Sequence, residues 1–420
     1  MICEFSAGSA GPARLETNMR LWITGLLLAF STSLTCAEDW PRWRGPQANG
    51  ISAETGWNSQ WGAGGVPVLW KSQVGTGYSS VAVARGKLFT IGHRGGSETL
   101  FGLDAETGKE IWKYSYPAQL VDNLHKGGPA TTPTVDGDVV YSMGRDGRLM
   151  AVSANTGDRL WETMLVGQTA SKVPEWGFSS SVVVEGNLVL VESGGVAAFD
   201  KATGKLVWHA GKFKLGYGSP EVFTHEGKRY AASLNNQTVQ VVDIATGKEV
   251  ASSEWVTSFD TNSTTPIAVG DELFISTGYN RGCELLTFNG SSLKQVYEVK
   301  TMCNHMNNSV LWEGHLYGVH GNSHNPSQCA LRCVEWKTGK QKWSQRGCGC
   351  GSVIISDGKL IVLSDQGLLA IVKASPAKFE SISQQQVLSG ECWTSPVLAN
   401  GRIYCRSSDG ELVALDVKSR

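Results

Sequence analysis

Short apolar runs recur along this chain, separated by turn-forming pairs, and the same order of elements returns each time. A tetrad of small or β-branched residues opens each unit. The first four are Ser80-Val81-Ala82-Val83, Thr132-Pro133-Thr134-Val135, Ser180-Ser181-Val182-Val183 and Ser219-Pro220-Glu221-Val222. Thr265-Pro266-Ile267-Ala268, Asn308-Ser309-Val310-Leu311, Gly351-Ser352-Val353-Ile354 and Ser395-Pro396-Val397-Leu398 open the rest. A turn signal such as Asp136-Gly137 or Asn400-Gly401 follows, then an apolar strand such as Val139-Val140-Tyr141. Asp-Gly and Asn-Gly between apolar runs mark hairpins, because the tight turn needs positive φ. A second turn, as at Asp146-Gly147, leads into a Leu-x-Ala-x-Asp strand, and a Thr-Gly-Lys turn leads into a fourth strand carrying Trp.

The period is roughly 40–50 residues, the mark of a repeat architecture. One unit is too short to bury its own apolar surface, so units must stack. Four antiparallel strands per unit and eight units predict an all-β fold, an eight-bladed β-propeller. The chain ends support closure. The eighth unit stops at Asp416 after its third strand, and Val68-Leu69-Trp70-Lys71 supplies the missing fourth strand before the first tetrad. Closure by this N-terminal strand leaves no open edge. Trp70, Trp112, Trp161, Trp208 and Trp343, with Tyr297 in one unit, keep a fixed place relative to the Thr-Gly-Lys turn. That regularity assigns them to docking between blades rather than to a ligand platform.

Composition narrows the partners. Of 420 residues, 37 are Lys or Arg and 38 Asp or Glu, and no basic stretch alternates with aromatics, so nucleic acid is not expected. Residues 1–37 read as a leader. Arg20, the apolar run Leu21 to Phe30 and Thr35-Cys36-Ala37 form a signal peptide over 19–37, cut after Ala37, with lipidation of Cys36 as the alternative. Residues 38–420 are then a single propeller domain, periplasmic or secreted and expected to be a monomer, touching a membrane only if Cys36 is lipidated. Eight cysteines remain, all between Cys283 and Cys405, and export favours disulfides. Column equivalence nominates Cys348 with Cys392, and Cys283 with Cys329.

Candidate chemistry lies where the inner strands begin, at the mouth of the channel. Two residues before the tetrads stand Tyr78, Phe178, Tyr217 and Trp393 among smaller residues. They form either a stacking surface for a flat ligand or a plug, and the plug is the commoner use of such side chains. One residue further back, His305, Cys348 and Cys392 occupy equivalent places on three consecutive blades, a candidate zinc or copper set beside the blander disulfide.

The Leu-x-Ala-x-Asp-x-x-Thr-Gly-Lys-x-x-Trp units resemble those of the pyrroloquinoline quinone (PQQ) dehydrogenases and of the BamB-type outer-membrane assembly lipoproteins, over about Trp40 to Leu415. Trp40-Pro41-Arg42-Trp43-Arg44-Gly45-Pro46 is similar to the opening of exported PQQ-like repeat proteins, with no mechanism evident from the sequence. For the dehydrogenase branch the resemblance implies a vicinal Cys-Cys pair over the quinone, with Ca²⁺ and a catalytic Asp. Here no two cysteines are adjacent, since Gly349 separates Cys348 from Cys350. The expectation is therefore a non-catalytic binding or assembly scaffold with a protein or envelope partner and no cofactor. The alternatives are a minimal quinone-dependent oxidoreductase using PQQ and Ca²⁺, and a metal- or carbohydrate-binding module.

Overall fold

The computed structural model describes residues 37–419 apart from 123–124, 171 and 212–213; the signal peptide and Cys36 lie outside the described residues. Each repeat folds into a four-stranded antiparallel sheet, and eight such sheets make an eight-bladed β-propeller. Blades 1 to 7 span residues 82–117, 134–164, 183–209, 221–254, 267–299, 310–346 and 352–386. Blade 8 takes its three inner strands from residues 397–416 and its outer strand from Val68–Gln73, with Val68 opposite Leu415 and Gln73 opposite Glu411. The ring is therefore closed by an N-terminal strand. Arg406 of blade 8 clamps the same seam. Its buried guanidinium donates to the carbonyls of Gly75, Ser79 and Ile91 and to Thr90 Oγ1, at 2.7–3.0 Å.

The recurring tryptophans join neighbouring blades. Trp112 Nε1 donates to Ala154 O of the next blade at 3.0 Å, Trp161 Nε1 to Lys201 O at 2.9 Å, and Trp343 Nε1 to Ser375 O at 2.8 Å. Tyr297 substitutes with its hydroxyl, which donates to Trp336 O at 2.8 Å. The rings of blades 8, 1, 2 and 3 each lie on the glycine of the following blade's Thr-Gly turn: Trp70 on Gly108, Trp112 on Gly157, Trp161 on Gly204, Trp208 on Gly247. A Cβ on Gly157 would stand 2.6 Å from the Trp112 ring, and its φ is +77°. Glycine is thus required twice at this position, by the turn and by the ring above it. Burying an indole removes about 150–250 Å² from water, roughly 4–6 kcal/mol at about 25 cal/mol per Å² before entropy is counted.

The opening tetrads have their own cause. Ser80 N–H donates to Thr132 Oγ1, Thr132 N–H to Ser181 Oγ, Ser181 N–H to Ser219 Oγ, Ser219 N–H to Thr265 Oγ1, and Thr265 N–H to Asn308 Oδ1. These bonds, 2.9–3.3 Å long, run from blade 1 to blade 6 around the axis. The innermost strands have no further strand to pair with, and small hydroxyl and amide side chains supply the acceptors their buried N–H groups need.

The channel is filled by the segment from Trp40 to Ser52. Trp40 exchanges backbone hydrogen bonds with Val83 of blade 1, and Pro41 O accepts from Val135 of blade 2. Across the axis, Trp43 Nε1 donates to Thr265 Oγ1, and Arg44 donates to Pro266 O and Ser309 O. Ile51–Ser52 then pairs in parallel with the inner strand of blade 7, giving that sheet a fifth strand. Arg44 is buried, and with Arg42 it offsets the charge of buried Glu221, whose carboxyl burial pushes up to about 7. A void of about 10 Å³ is left between this segment and the inner strands, room for about one water. The expectation that mouth aromatics plug the channel is corrected here: the Trp-Pro-Arg-Trp-Arg motif does so, because its backbone is tied to blades 1 and 2 while the Trp43 indole and the buried Arg44 guanidinium reach blades 5 and 6.

Candidate functional site

Above the plug, at the end of the ring where the inner strands begin, lies a cavity of about 330 Å³ with Trp43 among its lining residues. Six of the eight positions two residues before the tetrads line it: Tyr78, Ala130, Tyr217, Ser263, Met306 and Trp393. Phe178 does not. It is buried among Tyr141, Leu149 and Val189 between blades 2 and 3, with its ring against Gly147, and Trp176 takes the place at the mouth expected of it. The turn at Gly177 (φ +78°), whose Cβ would strike Arg145, separates the two aromatic directions.

Two aromatic walls result. On one side Trp393 stacks on Tyr78 (5.4 Å between centroids, 21°), Tyr78 meets His125 edge-on at 5.3 Å, and His125 stacks on Trp176 (5.3 Å, 25°). Tyr78 is fixed by its hydroxyl, which donates to Glu391 at 2.6 Å and accepts from Lys126 N–H at 3.1 Å. Opposite, Tyr279 stacks on His324 (5.8 Å, 23°) and meets His305 edge-on at 4.8 Å. Burial and the neighbouring His324 push His305 down to about 4, and burial with nearby Arg145 lowers His125, so both imidazoles are neutral at pH 7.

His125, Trp176, Tyr279 and His324 escaped the column argument because they are not in the repeat. His125 and Trp176 sit in the two longest connections between blades, residues 118–133 and 165–182, and Ser323 and His324 in the longest turn between second and third strands, 321–329. Length outliers in a regular repeat were the available signal, since long loops carry binding residues. Tyr279 lies in a turn with φ of +52°.

The candidate metal set is not assembled. His305 faces the cavity, while neither Cys348 nor Cys392 lines it. Among the described residues no group of three or more His, Cys, Asp or Glu is arranged to hold a metal ion. The expected bridges are also corrected, as all eight described cysteines are free thiols. Asp365 stands between the first pair: its N–H donates to Cys348 O, and its carbonyl accepts from Cys392 N–H. Cys283 and Cys329 belong to different interblade cores; Cys329 shares its core with Cys350, and its thiol donates to the carbonyls of Asn322 and Asn325.

PQQ is a tricarboxylate that the dehydrogenases use with Ca²⁺, so its site needs cationic donors for the quinone and several carboxylate or carbonyl oxygens for the ion. Among the described residues the cavity is lined by aromatic, hydroxyl, amide and imidazole groups, Met306 and small residues, with no Asp, Glu, Lys or Arg. This donor set does not fit the cofactor.

A closed ring of four-stranded blades stapled by Trp on Thr-Gly turns defines a PQQ-like β-propeller repeat protein. The family described as outer membrane protein assembly factor BamB matches residues 52–296 and 327–420, and the chain belongs to that family. The plug from Trp40 to Gly50 lies outside the matched residues. BamB of Yersinia pestis is 22% identical over 374 residues, covering 82% of this chain and 88% of that one. The dehydrogenase subunit of an alcohol dehydrogenase (quinone) from Acetobacter aceti is 36% identical over 124 residues, 25% of this chain but only 16% of that one. The crystal structure of BamB from Moraxella catarrhalis superposes with a TM-score of 0.60 at 16% identity, over 84% of this chain and 98% of that one, a likeness of fold.

Proposed function

We propose that this chain is an exported, non-catalytic propeller that acts as a binding scaffold in the cell envelope, with the mouth cavity as its recognition site. The carrying observation is the cavity itself: floored by Trp43, walled by fixed aromatics, and without Asp, Glu, Lys or Arg among its described lining residues. Such a site binds by shape, stacking and hydrogen bonding. A protein partner in the envelope is supported by family membership and by a relative described as an outer membrane protein assembly factor. The quinoprotein reading draws on the local identity to the Acetobacter aceti dehydrogenase subunit, and the lining chemistry argues against it.

Adding PQQ and Ca²⁺ to the purified protein is expected to give neither saturable binding nor alcohol- or sugar-dependent dye reduction. Stoichiometric quinone binding with turnover would replace the scaffold with the oxidoreductase. Cell fractionation tests export, and recovery in the cytoplasm would contradict it.

A further inference from the structure

We propose that the mouth cavity binds a neutral polyhydroxylated ring, a mono- or disaccharide unit, held between the Trp393–Tyr78 and Tyr279–His324 walls. The proposal rests on the reading of this chain as a non-catalytic binding scaffold and names the ligand of its mouth.

Size comes first. About 330 Å³ is at the lower end of the ~300–1,000 Å³ typical of small-molecule sites, suited to one or two sugar rings rather than a folded partner. The walls offer aromatic π-surface on opposite sides of the ring, from blades 8 and 1 with the following loops, and from blades 5 and 6. The negative face of an aromatic ring attracts polarised C–H groups, and a pyranose presents such groups on its ring faces and hydroxyls around its edge.

The polar groups are set for hydroxyls. Gly127 N–H donates to His125 Nδ1 at 2.8 Å, and Ser323 N–H donates to His305 Nδ1 at 3.1 Å. Each Nδ1 is therefore an acceptor, which places the proton of the neutral ring on Nε2 as a donor. Asn307 Nδ2 donates to Gly351 O, which leaves Oδ1 as an acceptor. Donors and an acceptor thus come from opposite sides of one cavity, the complement of a molecule whose hydroxyls do both.

Charged ligands meet the wrong chemistry. An anion would find no Lys or Arg among the described lining residues. A quaternary ammonium ion would find aromatic faces but no carboxylate among the described lining residues, with Arg145 close enough to His125 to depress its protonation. A wholly apolar ligand would leave the imidazole donors unpaired.

The test is calorimetric titration of the purified protein with glucose, galactose, mannose, N-acetylglucosamine, maltose and cellobiose, beside gluconate, tetramethylammonium and PQQ with Ca²⁺. At least one neutral saccharide is expected to bind saturably. Trp176→Ala should weaken that binding by at least tenfold and Trp176→Phe by less. His125→Phe, which keeps a ring against Trp176 but removes the Nε2 donor, should cost about tenfold. Circular dichroism and melting confirm that each variant is folded. Binding by none of the neutral sugars, or binding that these folded variants leave unchanged, overturns the proposal. Tetramethylammonium or gluconate as the sole ligand overturns the sugar but leaves the scaffold standing. PQQ binding with turnover of an alcohol and no sugar binding overturns both, and oxidation of a bound sugar overturns the scaffold alone.

Discussion

Substituting Gly157 by Ala separates the two reasons for glycine in the Thr-Gly turn. Gly86 provides the comparison, because its φ of +74° matches the +77° of Gly157, yet no atom lies within 4 Å of a Cβ placed there. Gly86→Ala should therefore cost only the left-handed backbone penalty, about 1–2 kcal/mol. At Gly157 the same Cβ would stand 2.6 and 2.8 Å from two carbons of the Trp112 ring, which is buried and tied to Ala154 O. Overpacking of this kind adds about 1–3 kcal/mol, for a total of roughly 2–5 kcal/mol. Urea unfolding followed by far-UV circular dichroism measures both variants on one scale. Removing the obstacle supplies the cross-check. Trp112→Ala alone should cost about 3–5 kcal/mol. Added to that background, Gly157→Ala should fall back to the Gly86→Ala value, a coupling of about 1–3 kcal/mol. If Gly157→Ala costs no more than Gly86→Ala, the ring-on-glycine account of the repeat is wrong.

Deleting residues 66–71 removes the closing strand and the Trp70 contact with Gly108, and a large fall in melting temperature or insolubility is expected; an unchanged melting temperature contradicts the closed ring. Glu192 is buried, and its carboxyl is pushed up to about 8 by burial, only partly offset by N–H groups of Gly194 and Gly195. The folded chain then holds a proton that the unfolded chain releases above about pH 4.5, so stability should decline as pH rises from there through about 8. Glu192→Gln should flatten that decline in urea midpoints measured against pH, and an identical profile refutes the assignment. Mild oxidation followed by non-reducing peptide mapping should yield a Cys329–Cys350 cross-link between blade 6 and the start of blade 7; a Cys348–Cys392 peptide instead would contradict the geometry around Asp365.

The ring was readable from the chain because each repeat meets the same neighbours, so the same residues recur at the same places. Turn glycines, docking tryptophans and tetrad hydroxyls each answer a local demand imposed eight times with few exceptions, and the seam strand Val68–Gln73 announced itself by the missing fourth strand after Asp416. Column reasoning also placed Tyr78, Tyr217, Trp393 and His305 at the mouth, where they are found. It failed where one residue's direction was decided by a neighbour outside the pattern. Phe178 turned inward between blades, and Trp176 from an irregular loop took its place. The same holds for Trp40 to Gly50, an unexplained motif until the partners of its backbone on blades 1 and 2, and of Trp43 and Arg44 on blades 5 and 6, came together across the axis. Periodicity encodes contacts between equivalent positions. Contacts among residues that occur once, from loops of unequal length, are set only when the closed ring brings distant segments to a single axis.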